Sequence, residues 1–274
     1  MNPVVAIWRQ PLVQAFFNDP ITIISAAFLL LVVVAAIFAP IVVPHDPQDQ
    51  QLPLRHLAPF SSGTATDYTV SPPVKEGRFF ILGTDHLGRD YLSRLIYGGR
   101  ISLAVGVLGV LFSSLIGVSL GLVAGYFRGT VDDIIMRVVD VFMSVPLLLL
   151  ALMIIFILGP SFTNILIVFA LARWMLFCRV TRGMVMSLRE QAFIDAAKAL
   201  GCTDQRIILR HVLPNLIAPI LTLAALEVPR NILTESTLSF LGFGIQPPDS
   251  SWGLMLSQGR QYIITAWWVV VMPG

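Results

Sequence analysis

Few residues in this sequence stand where they could do chemistry. The histidines, His45, His56, His86 and His211, are scattered. The two cysteines, Cys178 and Cys202, form neither a disulfide framework nor a C-x-x-C metal spacing, so reduced thiols are expected. Asp85, His86 and Asp90 have donor types suited to a cation, but no further ligand cluster accompanies them, and a helix cap plus an Asp90–Arg94 pair at i, i+4 is the expected role. Ser113, Ser114 and Cys178 lie in apolar runs without a histidine to activate them. No HExxH, GxSxG or P-loop pattern occurs, so the chain carries no motif for hydrolysis or nucleotide binding of its own. What remains is a charge pair, Glu227 and Arg230, set three apart on one face of an apolar run, and a polar stretch at 190–215 with unusual helix punctuation.

The elements that hold these residues are set by a composition foreign to a water-soluble globule. Of 274 residues, 56% are hydrophobic and 12% charged, against about 25% charged in ordinary soluble domains. The mean hydropathy is +0.80. The net charge of +2 gives no reason to expect a nucleic acid as partner. Residues 21–43 form an uncharged run of 23, enough to cross a bilayer, which takes about 20. The run is too long for the core of a cleavable leader and ends without a good small-x-small site, so it is expected to stay as a first span. Residues 44–100 are proline-rich, carry both signs of charge and end in an amphipathic segment outside the membrane.

A second span is expected from 101 to about 125, with small residues every fourth position: Gly109, Ser113, Gly117, Gly121 and Gly125. On a helix these make one stripe along which another backbone can approach closely, and we expect it to be a packing seam. After a polar link at 126–137, a third span at about 138–158 is kinked by Pro146, and a fourth at about 164–180 contains Arg173, expected to snorkel toward the Arg179 and Arg182 end. A fifth runs from Pro214 to about 238 and holds Glu227 and Arg230. Residues 263–274 are apolar but too short to cross.

Arg182, Arg189, Lys198, Arg206 and Arg210 crowd the 182–213 stretch close to span ends. The opposite side holds as many basic residues, but mostly in a long loop, which weighs less. This places 182–213, the 126–137 link and the N-terminus in the cytoplasm. Within the stretch, residues 187–200 are good helix formers, Gly201 suits the left-handed residue that closes a helix, and Thr203 with Asp204 suits the start of a second one ending near Pro214. The product is a helix–glycine–helix elbow with Ala192, Ala196, Ala199 and Leu200 forming a small apolar face rimmed by charge, a surface suited to docking in a partner's groove.

The elbow, EQAFIDAAKALGCTDQRIILRHVLPN, resembles the EAA loop of permease subunits of ABC importers. In that family Glu-Ala-Ala is followed after three residues by Gly and after nine more by Ile-x-Leu-Pro. Here Asp195-Ala196-Ala197, Gly201 and His211-Val212-Leu213-Pro214 keep the spacing, with Asp for Glu and His for Ile. The segments LGTDHLGRDYLSRLIYGGRISLAVG (82–106), GTVDDIIMRVVDVFMSVP (129–146) and ESTLSFLGFGIQPPDSSWG (235–253) resemble the C-type permeases of dipeptide, oligopeptide and nickel importers. The resemblance covers roughly 20–274 and departs at Arg173, where a neutral residue is usual.

The resemblance implies an all-α polytopic membrane protein with the transmembrane fold of a type I ABC importer, five complete spans and a sixth cut short at Gly274. Its expected divisions are 1–43 (lead and first helix), 44–100 (extracytoplasmic loop) and 101–274 (core permease). It implies a bacterial inner-membrane location, a B-type permease as partner, two ABC ATPase subunits that hold ATP and magnesium, and an extracytoplasmic binding protein. No cofactor or metal is expected on this chain. Asp195, Ala196, Ala197, Gly201, His211, Leu213 and Pro214 are the expected coupling residues, and Glu227, Arg230 and Glu235 the candidates for a translocation path. A path for zwitterionic peptides would use both signs at Glu227 and Arg230; a self-neutralising pair that only stabilises the span is the competing reading. The cargo is expected to be a peptide, with a nickel chelate or glutathione as alternatives. A secondary transporter would need mid-bilayer carboxylates and inverted repeats, and of these only Glu227 is present.

Overall fold

A computed structural model describes residues 17–67 and 74–274; the sequence-derived N-terminal lead and the Pro72-Pro73 pair lie outside them. The described residues fall into two compact units, one ending at Arg100 and one beginning at Ile101.

In the first unit, α1 (Pro20–Ile37) opens on Asp19, whose carboxylate accepts from the Ile21 N–H at 3.1 Å, and on a proline whose missing N–H costs nothing at a first turn. Only Ala36 of α1 is buried, so most of its apolar surface is exposed. A short α2 (Ala39–Val42) follows. The loop beyond it is not purely irregular: β1 (Ser61–Asp67) and β2 (Val74–Phe80) pair antiparallel, from Ser61 opposite Phe80 to Asp67 opposite Val74. The expectation of an all-α protein is corrected here to a mostly helical one with, among the described residues, one antiparallel strand pair. Ala65 and Phe80 close a small core with Leu54 and Leu57.

The expected amphipathic segment and second span are one helix, α3 (Tyr91–Phe127). Arg94 does not form its ion pair with Asp90, as i, i+4 spacing suggested. It reaches Asp85 at 2.5 Å, and Asp90 instead caps α3 by accepting from the Ser93 N–H at 2.9 Å.

In the second unit, the residues expected to form a polar link are already helical. Here α4 (Gly129–Met143) meets α5 (Leu147–Leu158) at an 86° bend across Pro146. A proline disfavours helical geometry in the residue before it, and its ring clashes with the carbonyl four back. Next comes α6 (Phe162–Arg189), capped by the Ser161 hydroxyl, which accepts from the Asn164 N–H at 3.1 Å. The elbow is α7 (Ala192–Ala199) and α8 (Asp204–Ile207). The second arm does not stop at Pro214: α8 passes through a widened π-type turn at Ile208–Val212 into α9 (Leu213–Phe240), one continuous rod. The wider turn gives the Pro214 ring room where a regular turn would clash. Two shorter helices, α10 (Trp252–Gly259) and α11 (Trp268–Val271), complete the chain. Among the described residues four helices are long and apolar enough to cross a membrane, and five if the bent α4–α5 pair is one span.

Three interior clusters join the second unit. Val105, Ile155, Phe169 and Leu238 bring α3, α5, α6 and α9 together. Trp174, Met175 and Cys178 seat Val139 of α4 on α6. Leu122, Ile194, Ile207 and Leu216 fix the elbow beneath α3 and α9. The small residues of α3 lie along α6: a Cβ at Gly121 would stand 2.5 Å from the Cys178 carbonyl oxygen, one at Gly125 2.8 Å from that of Arg182, and one at Gly117 2.5 Å from Phe177 Cβ. Ser113 is fully buried, and a Cβ at Gly109 would meet Phe169 Cβ at 3.2 Å. Backbones this close gain dispersion contacts that larger residues would block.

Candidate functional site

The elbow is built to be rigid. At its corner Gly201 takes φ +77°, the Gly201 N–H donates to the Lys198 carbonyl at 2.9 Å and the Cys202 N–H to the Ala197 carbonyl at 3.1 Å. These two bonds are a Schellman closure, which satisfies carbonyls that a helix end otherwise leaves open. Thr203 is the residue before α8, though its side chain makes no capping bond.

The arms then dock by specific contacts. The Tyr126 hydroxyl at the end of α3 donates to Asp204 at 2.6 Å. Arg189 stands over the Tyr126 ring at 5.4 Å and donates to the Tyr126 carbonyl. Arg128 donates to Glu190 at 2.8 Å. Farther up, Arg182 holds Asp132 of α4 through Nε and Nη2 at 2.5 and 2.6 Å, a two-point grip that fixes geometry as well as charge.

The expected coupling residues divide into inward and outward sets. Ile194 and Ala197 face inward and are buried. Ala192, Ala196, Ala199, Leu200 and Gly201 are exposed, with Leu200 85% accessible. Asp195 is exposed and lies 3.7 Å from Lys198. On the second arm Pro214 is exposed, while His211 and Leu213 are half-buried. Phe193, beside Ala192, enlarges the exposed apolar face, its size next to the alanine being the available signal, and Leu209 on the π-type turn is exposed as well; sequence reading singled out neither.

A second cluster lies between α6 and α9. Arg173 does not snorkel: its Nη1 donates to Glu227 Oε2 at 3.0 Å and its Nη2 to Thr234 Oγ1 at 3.0 Å. Arg230 Nη1 donates to Glu227 Oε1 at 2.6 Å, so Glu227, only 1% exposed, is gripped from both sides. Glu235 is not with them. It is fully enclosed and accepts from Ser239 at 2.6 Å and Ser251 at 2.8 Å, tying the start of α10 to α9.

In the first unit Asp85 accepts from the Arg89 and Leu87 N–H groups at 3.0 and 2.8 Å and pairs with Arg89 and Arg94. Burial by itself would raise the carboxyl, but the two guanidiniums and the two backbone donors outweigh it and hold it below the ordinary carboxylate value. Burial pushes the His56 and His86 imidazoles down. Among the described residues no three His, Cys, Asp or Glu side chains are grouped to hold a metal.

Several apolar rods long enough to span a bilayer, with a polar arm that exposes a small-residue face, define a helical multi-span membrane protein. The chain belongs to the family of binding-protein-dependent transport system inner membrane components, whose model matches residues 117–273, and the N-terminal transmembrane domain of oligopeptide transport permease C matches 7–59. It is thus a permease subunit of an ABC importer and not an enzyme. It is 39% identical to the di/tripeptide transport system permease protein DppC of Pseudomonas aeruginosa (strain UCBPP-PA14) over 95% of this chain and 82% of that one. It is 33% identical to the probable D,D-dipeptide transport system permease protein DdpC of Escherichia coli (strain K12), over 96% and 83%. With the glutathione transport system permease protein GsiD of Pectobacterium atrosepticum it shares 34% identity over 97% and 83%. A chain from inward-facing conformations of the MetNI methionine ABC transporter shares the fold, with a TM-score of 0.53 at 19% identity over 66% of this chain and 86% of that one.

Proposed function

We propose that this chain is the C-type permease of a peptide importer, forming half of a translocation path with a B-type permease. Its elbow sits in the groove of an ABC ATPase, and an extracytoplasmic binding protein delivers the cargo. The carrying observation is the stiff, outward alanine–leucine face closed at Gly201. Relatives named for di/tripeptides and D,D-dipeptides favour a peptide over glutathione or a nickel chelate. In this reading the α4–α5 pair is one bent span and five spans cross the membrane. The N-terminus and the elbow are cytoplasmic, and the 44–100 and 242–262 segments face the binding protein.

Mechanically, nucleotide binding on the partners moves their grooves together. Because Asp204 is bonded to Tyr126 and Ile194 is packed below Leu122, that motion is carried into α3, α6 and α9 without slack. Glu227 and Arg230 border the path, and Glu235 sets the position of α10 behind it.

Reconstitution with candidate ATPases, B-type permease and binding protein tests this. The expected result is a stoichiometric complex with ATP-dependent uptake of a di- or tripeptide. Uptake that persists without any ATPase subunit contradicts it.

A further inference from the structure

Two guanidiniums meet one carboxylate near the middle of two apolar rods. Glu227 is the fifteenth of the 28 residues of α9, and Arg173 the twelfth of the 28 of α6. Both Glu227 oxygens are occupied, one by each arginine, so the trio carries one positive charge in surplus.

The two arginines are not equivalent. The Arg173 side chain is 15% exposed and has both terminal nitrogens engaged, on Glu227 and Thr234. The Arg230 side chain is 60% exposed and holds Glu227 through Nη1; among the described residues its other guanidinium N–H groups meet no partner. Arg230 stands in an exposed row along α9 with Thr222, Leu226, Leu233 and Thr237, and it is the one charge in that row. Bare lipid is an expensive neighbour for a mid-span guanidinium, so this row faces water or a charged group.

We infer that Arg230 reads a side-chain carboxylate of passing cargo, held in position by the Glu227–Arg173–Thr234 brace, and that the path along this face favours anionic over cationic peptides. The inference rests on the peptide-permease reading. The geometry fits transit rather than storage. A guanidinium offers a carboxylate two parallel N–H bonds, and the Glu227 carboxylate behind it weakens the attraction enough for release. Arg173 is a positioning residue: with both amino groups spent it fixes Glu227, and Glu227 fixes Arg230.

The test uses the reconstituted complex with its ATPases and saturating binding protein preloaded with alanyl-aspartate, alanylalanine or alanyl-lysine, so that turnover rather than capture is read. Arg230→Gln lowers the ratio of alanyl-aspartate to alanyl-lysine turnover by about tenfold, the scale of one lost charge-assisted contact. Glu227→Gln moves the ratio the other way, because it leaves both guanidiniums uncompensated. An unchanged ratio in Arg230→Gln, or equal loss for all three peptides, overturns the inference and makes Arg230 a bolt to a neighbouring subunit's acid. If Arg230→Gln does not assemble, the sign of the Glu227→Gln change decides: a rise supports the inference, and no change or a fall overturns it. Absence of ATP-dependent uptake of every peptide by the unmutated complex instead sinks the peptide-permease reading.

Discussion

The Tyr126 hydroxyl donates to the Asp204 carboxylate at 2.6 Å, joining the end of one span to the first turn of the elbow's second arm. This bond crosses 78 residues of sequence and ties the second arm to a span other than the one it runs into. Tyr126→Phe keeps the ring on which Arg189 stacks and removes only the bond. A hydrogen bond to a charged group is worth about 1.5–3 kcal/mol, less where, as at exposed Asp204, water competes. The expected outcome is a complex that still assembles but transports less cargo per ATP hydrolysed, measured by paired uptake and phosphate release. Unchanged stoichiometry would remove Tyr126 from the coupling route.

The α3–α6 seam leaves no room for a side chain. Gly121→Leu forces the helices apart at the Cys178 carbonyl, and overpacking of this kind costs about 1–3 kcal/mol or more. Gly183→Leu, where a Cβ meets nothing within 4 Å, is the control. Thermal unfolding in detergent should drop for the first and hold for the second; equal melting temperatures would mean that the seam is not tightly packed.

Gly201 is a conformational requirement and not a packing one. No atom lies within 4 Å of a Cβ built there, yet its φ is +77°. Gly201→Ala therefore costs about 1–2 kcal/mol of backbone strain without a clash. Uptake should fall while assembly persists, and Gly201→Asn, which tolerates left-handed geometry, should recover most of it.

The first unit should lose stability in acid in two stages. His56 and His86 have folded pKa values lowered by burial, so the folded state resists protons that the unfolded chain accepts. Their contribution is full above about 6.5, the ordinary histidine value, and declines below it. Asp85 is also lowered, so its contribution is full above the ordinary carboxylate value, about 3.9, and is lost as pH falls through the depressed folded value. Protection of the hairpin from hydrogen exchange should decline first below pH 6.5 and again below pH 4. His56→Gln with His86→Gln should flatten the first decline, and Asp85→Asn should remove the second while weakening protection at pH 7.

The sequence exposed what is periodic and hid what is distant. The four-residue recurrence from Gly109 to Gly125 marks a stripe because a helix turns every 3.6 residues. Gly201 between two helix-forming runs marks the corner because few residues take positive φ. Arg173 was expected to snorkel because its partner Glu227 lies 54 positions away and linear order carries no information on which helices adjoin. Arg94 chose Asp85 over Asp90 because Asp90 was already committed to the Ser93 N–H. The hairpin was missed because Ser61–Asp67 has no large apolar residue in its alternation; Ala65 supplies the inward contact. Ala197 was grouped with the docking residues by motif, yet α7 turns it inward against Leu122 and Val185.

That last contrast gives the most direct test of the elbow as the coupling arm. Single cysteines at Ala196, Ala197 and Gly201, introduced after replacement of Cys178 and Cys202, are joined to the assembled ATPase subunit with a short bifunctional reagent. Crosslinks from exposed Ala196 and Gly201, none from buried Ala197, and arrest of uptake on crosslinking are the predicted result. Cargo uptake by a complex in which neither Ala196 nor Gly201 ever reaches an ATPase would contradict the account.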